Sequence, residues 1–517
     1  MPLVKITPPP GVVKPGTVYD ARGRWYDTLW TRWFEGVMQE IGGFEDYEVD
    51  GSQVDHGERV SGTHSWRDND GNACLAFGGP AKIQVIRTGS LTDVTPTSGF
   101  TSGQADSTLT TGQYGAGLYG RGLYGRGDET VDNSLVLAQS YQMDNYGEDL
   151  VFVAKSDGKI YYVDIDGNGG EPAAAAVISP SAGTVPTSNT GVVVTPENFL
   201  LALGAGGDGR KIQWPDQDDE TDWAATASNQ AGDLFLPGRG TILAGRRAQN
   251  ETLIWTETDL FSIRFIGGNF VYTAVPVGAV GAISSRCMAV VGSVAYWMGP
   301  RGFYLYDGYT KAIPSPVADY VFRDMNRNQR TKIWAEVRSE FGEVTWHYPS
   351  GGSTECDRSV TFNYEEGFWY NNTVARTAGE DAGALGGPVA FDADGLLYRH
   401  EVGNSYGGAT PEATSGPIEL GGGDRVMHIQ SLIPDEQTLG DVDLYLLTAF
   451  YPSSGVKNTP ANADASDGQE VENGPYTPSN PTDVRLVARQ IRLKVVQDVA
   501  GWRIGTIRAD IEAGGRR

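Results

Sequence analysis

The sequence predicts an all-β fold: a β-propeller of about six to seven blades with inserted loops and a C-terminal β-domain. Three observations point to it. Short runs rich in Val, Ile, Tyr, Phe and Trp recur along the chain, bounded by Gly, Asp, Asn or Pro; this is the pattern of strands, and helical periodicity is scarce. The runs fall into groups that repeat at a loose period of roughly 40–50 residues, each group large enough for a small antiparallel sheet and often with a Trp or Tyr near its end. Gly makes up 69 of the 517 residues. Asp-Gly steps at Asp70-Gly71, Asp157-Gly158, Asp307-Gly308 and Asp394-Gly395 sit beside many of the runs, and Asp-Gly suits hairpin turns whose central residues take positive φ.

The elements follow in chain order. Residues 1–45, opening MPLVKITPPPGVVKPG, read as an N-terminal extended arm and first strand; the prolines favour extended backbone. Residues 46–402 read as the propeller. Its strand groups run at about 62–86, 134–164, 192–214, 241–270, 282–307, 332–369 and 389–400. Stacked sandwiches are the competing all-β arrangement, and the absence of a Gly-His…Trp-Asp repeat sets the chain apart from WD40 arrays. The best helical pattern is VADYVFRDMNRNQRTKIWAEV (317–337), one or two turns before a strand. Residues 97–130 break the rhythm with a Gly/Tyr-rich insertion containing GLYGR twice. Residues 403–517 read as a C-terminal β-domain for ring assembly, interrupted by a Gly/Pro/Ser-rich stretch at 452–483.

Charge and cysteine content bound the function. Lys and Arg number 40 against 65 Asp and Glu, a net charge of −25. That sign repels phosphate and disfavours a dedicated nucleic-acid or anionic-membrane binder; a conduit that must not retain DNA would carry it. Cys74, Cys287 and Cys356 are odd in number and far apart, which suits reduced core residues of a protein matured in a cytosol. The first residues lack an apolar core of signal-peptide length, and nothing later approaches a bilayer-spanning run. No membrane insertion is expected.

The chemical motifs are weak. GAGGDG (204–209) matches a dinucleotide fingerprint literally, but RKIQWPDQDDETDW follows it, where a pyrophosphate site needs a helix. DIDGNG (164–169) supplies Asp164, Asp166 and Asn168 in the order of a calcium loop, yet Ala175 occupies the twelfth position. A hairpin explains both better; whether calcium sits at Asp164–Asn168 stays open. His56, His64, His347, His400 and His428 lack zinc spacing, and there is no GxSxG elbow. The expectation is no catalytic site, no metal, no cofactor and no enzyme. The one constellation singled out is Tyr119, Arg121, Tyr124 and Arg126 in the insertion. Arginines among tyrosines can stack on bases or sugars or clamp a neighbouring subunit, so these four are candidate subunit or lumen contacts.

GRWYDTLWTRWFEGVMQEIGGFE (23–45) resembles the start of a class of bacteriophage structural proteins with an R-W-x-D…R-F-x-x-G…I-G-G-W pattern; Trp33 and Phe44 are conservative swaps on it. NYGEDLVFVAKSDGKIYYVD (145–164), LIWTETDLFSIRFIGG (253–268), VAYWMGPRGFYLYDGYTKAIPSPVADYVFRDMN (294–326) and WRIGTIRADIEAGGRR (502–517) extend the likeness over nearly the whole chain. The chain resembles the tail nozzle proteins of short-tailed phages, also called tail tubular or packaged-DNA stabilisation proteins. The resemblance implies a homo-hexameric ring below the portal and adaptor. Such a ring closes the tail, contacts tail fibre or spike proteins and lets DNA pass through its lumen without specific binding. It implies location in the virion tail, with assembly in the host cytoplasm. The alternative reading is a carbohydrate- or receptor-binding, or polysaccharide-degrading, propeller tail protein.

Overall fold

Seven four-stranded antiparallel sheets succeed one another between Phe44 and His400 among the described residues. The structure, a computed structural model, describes residues 3–109, 135–268, 270–436, 442–450, 470–477, 481–497, 499 and 501–515. The first strands of the sheets are Gly62–Arg67, Tyr141–Tyr146, Gly191–Val194, Ile242–Arg247, Met288–Val291, Trp334–Arg338 and Ala378–Glu380. In each sheet the chain steps outward by hairpins. The first strands lie innermost, and that of the seventh sheet packs against that of the first. This is a β-propeller, the closed radial arrangement that leaves only short sheet edges. Hairpin glycines do what the Asp-Gly steps require: Gly308 and Gly395 sit at φ 99° and 95°, accessible to glycine at little cost.

The seventh sheet closes the ring. Its sequential strands are Ala378–Glu380, Val389–Phe391 and Leu397–His400, and its fourth is Phe44–Asp46, with Phe44 opposite His400. A strand that precedes the first sheet in sequence therefore clasps the last. Gly42 and Gly43 bring it in: a Cβ on Gly42 would lie 2.6 Å from Glu401 Cα, and one on Gly43 would lie 2.6 Å from the Ser405 backbone. Only glycine allows that approach.

Both chain ends leave the propeller at this point and together build a second β-region. Leu3–Lys5 pairs with Arg508–Ala513, which continues through Met427–Ile433 to Thr482–Ala488. Trp25–Leu29 pairs with Glu412–Ser415, leading through Gln490–Val496 and Asp443–Ala449 to Val471–Tyr476. Thr31–Phe34 and Val37–Glu40 form a hairpin that takes Arg503–Ile504 as its third strand. The segment 1–45 is thus no free arm in its described part: it supplies strands to the C-terminal β-region and to the propeller. Outside its own hairpin its partners lie hundreds of residues away, and no local pattern reports such pairings.

One hydrophobic core runs from the terminal region into the fourth, fifth and sixth sheets, from Ile429, Leu444 and Trp502 to Trp255, Trp297, Trp346 and Trp369. Trp369 stands at the seam. Its ring lies 4.7 Å from that of Phe303 and 4.8 Å from that of Phe362. Its Nε1 donates to Pro314 O at 3.0 Å, and its carbonyl accepts from Val12 N at 2.6 Å. Trp369→Ala is expected to cost about 3–5 kcal/mol, the range for emptying a buried indole site. Because the core is shared, chemical denaturation should show terminal region and propeller unfolding in one transition at a lower midpoint. Loss of the terminal region alone would contradict the shared core.

Candidate functional site

Radial sheets leave a channel on the propeller axis, and its chemistry is set by side chains of the first strands. At the end where those strands begin lies a cavity of about 340 Å³, lined by residues including Ala138, Lys155, Glu257, Arg327 and Arg330. Burial pushes the Lys155 ammonium below the ordinary lysine range, and the Glu257 charge opposes that shift. Farther along lies a second cavity, of about 310 Å³, lined among others by Asp144, Arg246, Arg247, Arg286, Glu336 and Glu380. Gln142 stands at the axis: its Nε2 donates to Ser285 O at 2.9 Å, and its Oε1 accepts from Arg246 Nη1 at 2.8 Å.

The Gly/Tyr-rich insertion is rooted at the first cavity. Thr108–Leu109 pairs with Leu135–Val136, and the next residues, Leu137 and Ala138, line the cavity. The root is pinned. Ser107 N donates to Gln329 Oε1 at 2.9 Å, and Gln329 Nε2 returns a bond to Ser107 O at 2.9 Å. The fully buried Lys332 ammonium bonds Asp106 at 2.5 Å and also Glu355. Tyr119, Arg121, Tyr124 and Arg126 lie outside the described residues.

A second constellation joins the N-terminal hairpin to the sixth and seventh sheets. Arg32, from Thr31–Phe34, is buried with its Nε 3.5 Å from Glu343 Oε1, and it hydrogen-bonds both oxygens of Glu401. Glu401 also accepts from Gly42 N at 2.9 Å and from Arg338 Nη1 at 2.6 Å. Arg338 reaches Glu336 at 3.0 Å, and His347 Nε2 lies 3.2 Å from the same oxygen. Arg376 Nε donates to His400 Nε2 at 2.9 Å. The Arg32 and Arg338 guanidiniums thus pair with three carboxylates out of water, the pairing that buried charge demands, with Arg376 held on His400 beside them. Burial raises the Glu336 and Glu401 carboxyls, but their arginine neighbours outweigh it and hold both below the usual range. Burial pushes Glu343 up, against the pull of Arg32. Burial lowers His347 and His400, and the charge of Arg376 lowers His400 further.

The weaker motifs resolve into turns. GAGGDG spans the connection from Leu200–Leu203 to Lys211–Trp214, with a short 3₁₀ turn at Ala205–Gly207 and no helix after it. At DIDGNG, Asp164 Oδ1 accepts from Asp166 N at 3.4 Å, and Asn168 pairs with Glu171. No group of three or more His, Cys, Asp or Glu among the described residues is placed to hold a metal ion. Cys74, Cys287 and Cys356 are free and buried. Sequence reading missed the channel arginines and the carboxylate partners of Arg32. The signal for the former was present: Arg246 and Arg247 end an otherwise apolar strand, ILAGRR.

No family model matches the chain. No curated protein matches it. Among solved structures, a puromycin hydrolase variant has a TM-score of 0.34 at 11% identity, over 80% of this chain and 62% of that one. The extracellular domain of a one-component system from B. thetaiotaomicron has a TM-score of 0.34 at 11% identity, over 76% and 53%. The CNH domain of AfRom2 has 0.32 at 12% identity, over 54% and 92%. This chain spans less than two thirds of the first two. The propeller assignment rests on the sheets themselves.

The buried network sets a pH dependence. His347 and His400 bind protons less readily folded than unfolded, so the unfolded chain takes up more protons below about pH 6.5, the ordinary histidine value, and stability falls as pH falls. Glu336 and Glu401 are depressed and act in the same direction as pH drops through the ordinary carboxylate value of 4.5. The unfolding free energy from denaturant titrations at pH 7.5 to 5 should decline, by up to roughly 1.4 kcal/mol per pH unit for each histidine. His400→Gln should flatten the decline.

Proposed function

We propose that this chain is a structural virion protein, one subunit of the homo-hexameric tail nozzle of a short-tailed phage, with no catalytic role. The observation that carries the reading is the sequence resemblance together with the place its signature residues take. Trp25, Arg32, Gly42 and Gly43 all lie where the terminal β-region meets the propeller. A signature spent on a joint between two β-regions suits an assembly part better than an enzyme.

Two further features support it. The terminal region ends in strands Val471–Tyr476 and Thr482–Ala488, each at the edge of its sheet, and Val471 (52%) and Val487 (47%) are exposed on them. Among the described residues no further strand covers these edges, and edges of this kind pair with strands of another chain. The described base of the 97–130 insertion, Thr108–Leu109 paired with Leu135–Val136, lies beside the first cavity, and the insertion is the second region proposed to engage neighbours. In the proposed ring the DNA lumen runs between subunits, since the axis of each propeller is crossed by Gln142 and Arg246. Six chains each carrying −25 repel one another at low ionic strength. Assembly is therefore driven by edge pairing or templated by the portal and adaptor, with the tail fibre or spike proteins added to the finished ring.

The alternative receptor- or carbohydrate-binding reading draws on a different observation. Phe270 (78%) and Tyr309 (77%) are exposed aromatics on connections of neighbouring sheets. Glycan binding by the isolated protein, lost on Phe270→Ala, would favour it.

Light scattering of the purified chain, alone and with a portal–adaptor complex, tests the nozzle. A monomer alone and six copies on the connector are expected. A stable dimer or trimer indifferent to the connector would contradict it. Val471→Asp with Val487→Asp should abolish ring formation while changing monomer stability by no more than about 0.5 kcal/mol, as usual at exposed sites.

A further inference from the structure

Asn-Gly steps occur twice in the chain, at Asn168-Gly169 and Asn473-Gly474, and the fold treats them differently. Asn168-Gly169 lies in the connection from Ile160–Val163 to Ala176–Val177 of the second sheet. Gly169 and Gly170 take φ 68° and 96° at the centre of a tight turn. Asn168 N donates to Glu171 O at 3.0 Å and Glu171 N to Asn168 O at 3.4 Å, closing it. Asn168, Gly169 and Gly170 are exposed. Among the described residues, neither the Asn168 carboxamide nor the Gly169 N–H has a hydrogen-bond partner.

Asn473 is held. Its Nδ2 donates to Thr448 Oγ1 at 2.9 Å and to Val471 O at 3.1 Å, and the residue pairs with Leu446 inside the strand Val471–Tyr476. A Cβ on Gly474 would lie 2.7 Å from Leu444 O, so the backbone is closely packed there as well. The contrast matters because a backbone nitrogen attacks an asparagine side chain most readily when glycine follows, with no Cβ to block the approach. The attack needs a carboxamide free to rotate and a backbone free to turn. Those are conditions of an exposed loop tip and not of a paired strand.

We propose that Asn168 is a site of spontaneous deamidation, with water as the only co-reactant. The Gly169 nitrogen bonds to Asn168 Cγ, its proton passes through solvent to the departing nitrogen, the Cγ–Nδ2 bond breaks and ammonia leaves. The cyclic imide then adds water at either carbonyl and opens, giving an aspartyl or an isoaspartyl residue at position 168. Either product adds a negative charge, and the isoaspartyl linkage also adds a methylene to the backbone. The change falls on a tether between sheets. Gly170 O accepts from Arg87 Nη1 at 2.6 Å, and Arg87, at the end of Ile83–Arg87 in the first sheet, also donates from Nε to Asp68 at 2.8 Å. Lengthening the turn withdraws Gly170 O from Arg87. The site is independent of the ring proposed above.

Ageing of the purified full chain at mildly alkaline pH, followed by peptide mass mapping, tests it. In the folded protein the peptide containing Asn168 should gain the mass of an amide turned to an acid, with its isoaspartyl form, roughly tenfold faster or more than the peptide containing Asn473, because the exposed turn opens more readily than the paired strand. In denaturant the two should convert at similar rates. Asn168→Gln, which would have to close a larger ring, should stop the reaction at this position. Hydrogen exchange over residues 166–171 should quicken in the aged wild-type chain and stay unchanged in aged Asn168→Gln. Conversion of Asn168 no faster than Asn473 in the folded chain would overturn the proposal, and that arm needs no variant to fold. A rate gap that persisted in denaturant would assign it to local sequence and overturn the structural argument. Unchanged exchange in the converted protein would overturn the effect on the tether.

Discussion

Arg32 is the charge around which two parts of the chain are fastened. It comes from a hairpin near the N-terminus and is buried against Glu343 of the sixth sheet and Glu401 at the end of the seventh. Phe341 covers its guanidinium, the ring centroid 3.7 Å away. A guanidinium this far from water is tolerable only with paired carboxylates in place, so hairpin and sheets must adopt their positions together. Glu401 in turn accepts from Gly42 N, the residue that leads the clasping strand into the seventh sheet. Ring closure and docking of the terminal region are thus one event, coupled through a single carboxylate.

That coupling makes terminal region and propeller one body. The shared core around Trp369 and Trp346 gives the apolar part of the bond, and the Arg32–Glu401–Arg338–Glu336 chain gives the directional part. The base of the insertion at Ser107 and Lys332 is held on the same frame.

Much of the frame was legible in the sequence, for a physical reason. Propeller sheets are local: each strand pairs with the next by a short hairpin, so period-two alternation and Asp-Gly steps report them directly. The groups at 62–86 and 192–214 fall inside the sheets that start at Gly62 and Gly191, and the group at 241–270 begins one residue before the sheet that starts at Ile242. The outermost strands, such as Ser90–Asp93 and Gly232–Phe235, escaped because they are short, half-exposed and weakly apolar. Non-local pairing was invisible. Leu3–Lys5 lies beside Arg508–Ala513, and the prolines that follow suggested an arm only because the partner was out of view. The site was harder still. Arg32 was noticed as part of a signature, but its meaning depends on Glu343 and Glu401, more than 300 residues away, in a chain where acidic residues are common. Glu336 and His347 carry no local mark of burial beyond their apolar strands.

The central claim is that Arg32 and Glu401 fasten the terminal region to the ring. A double-mutant cycle on Arg32→Met and Glu401→Gln, read by denaturant unfolding at pH 7.5, tests it most directly. The account predicts that each single change costs about 3–5 kcal/mol, because it strands a buried charge. It predicts that the double change costs less than the two together by about 1–3 kcal/mol. Additive effects, or single changes costing under about 1 kcal/mol, would show that the pair does not hold the two regions together.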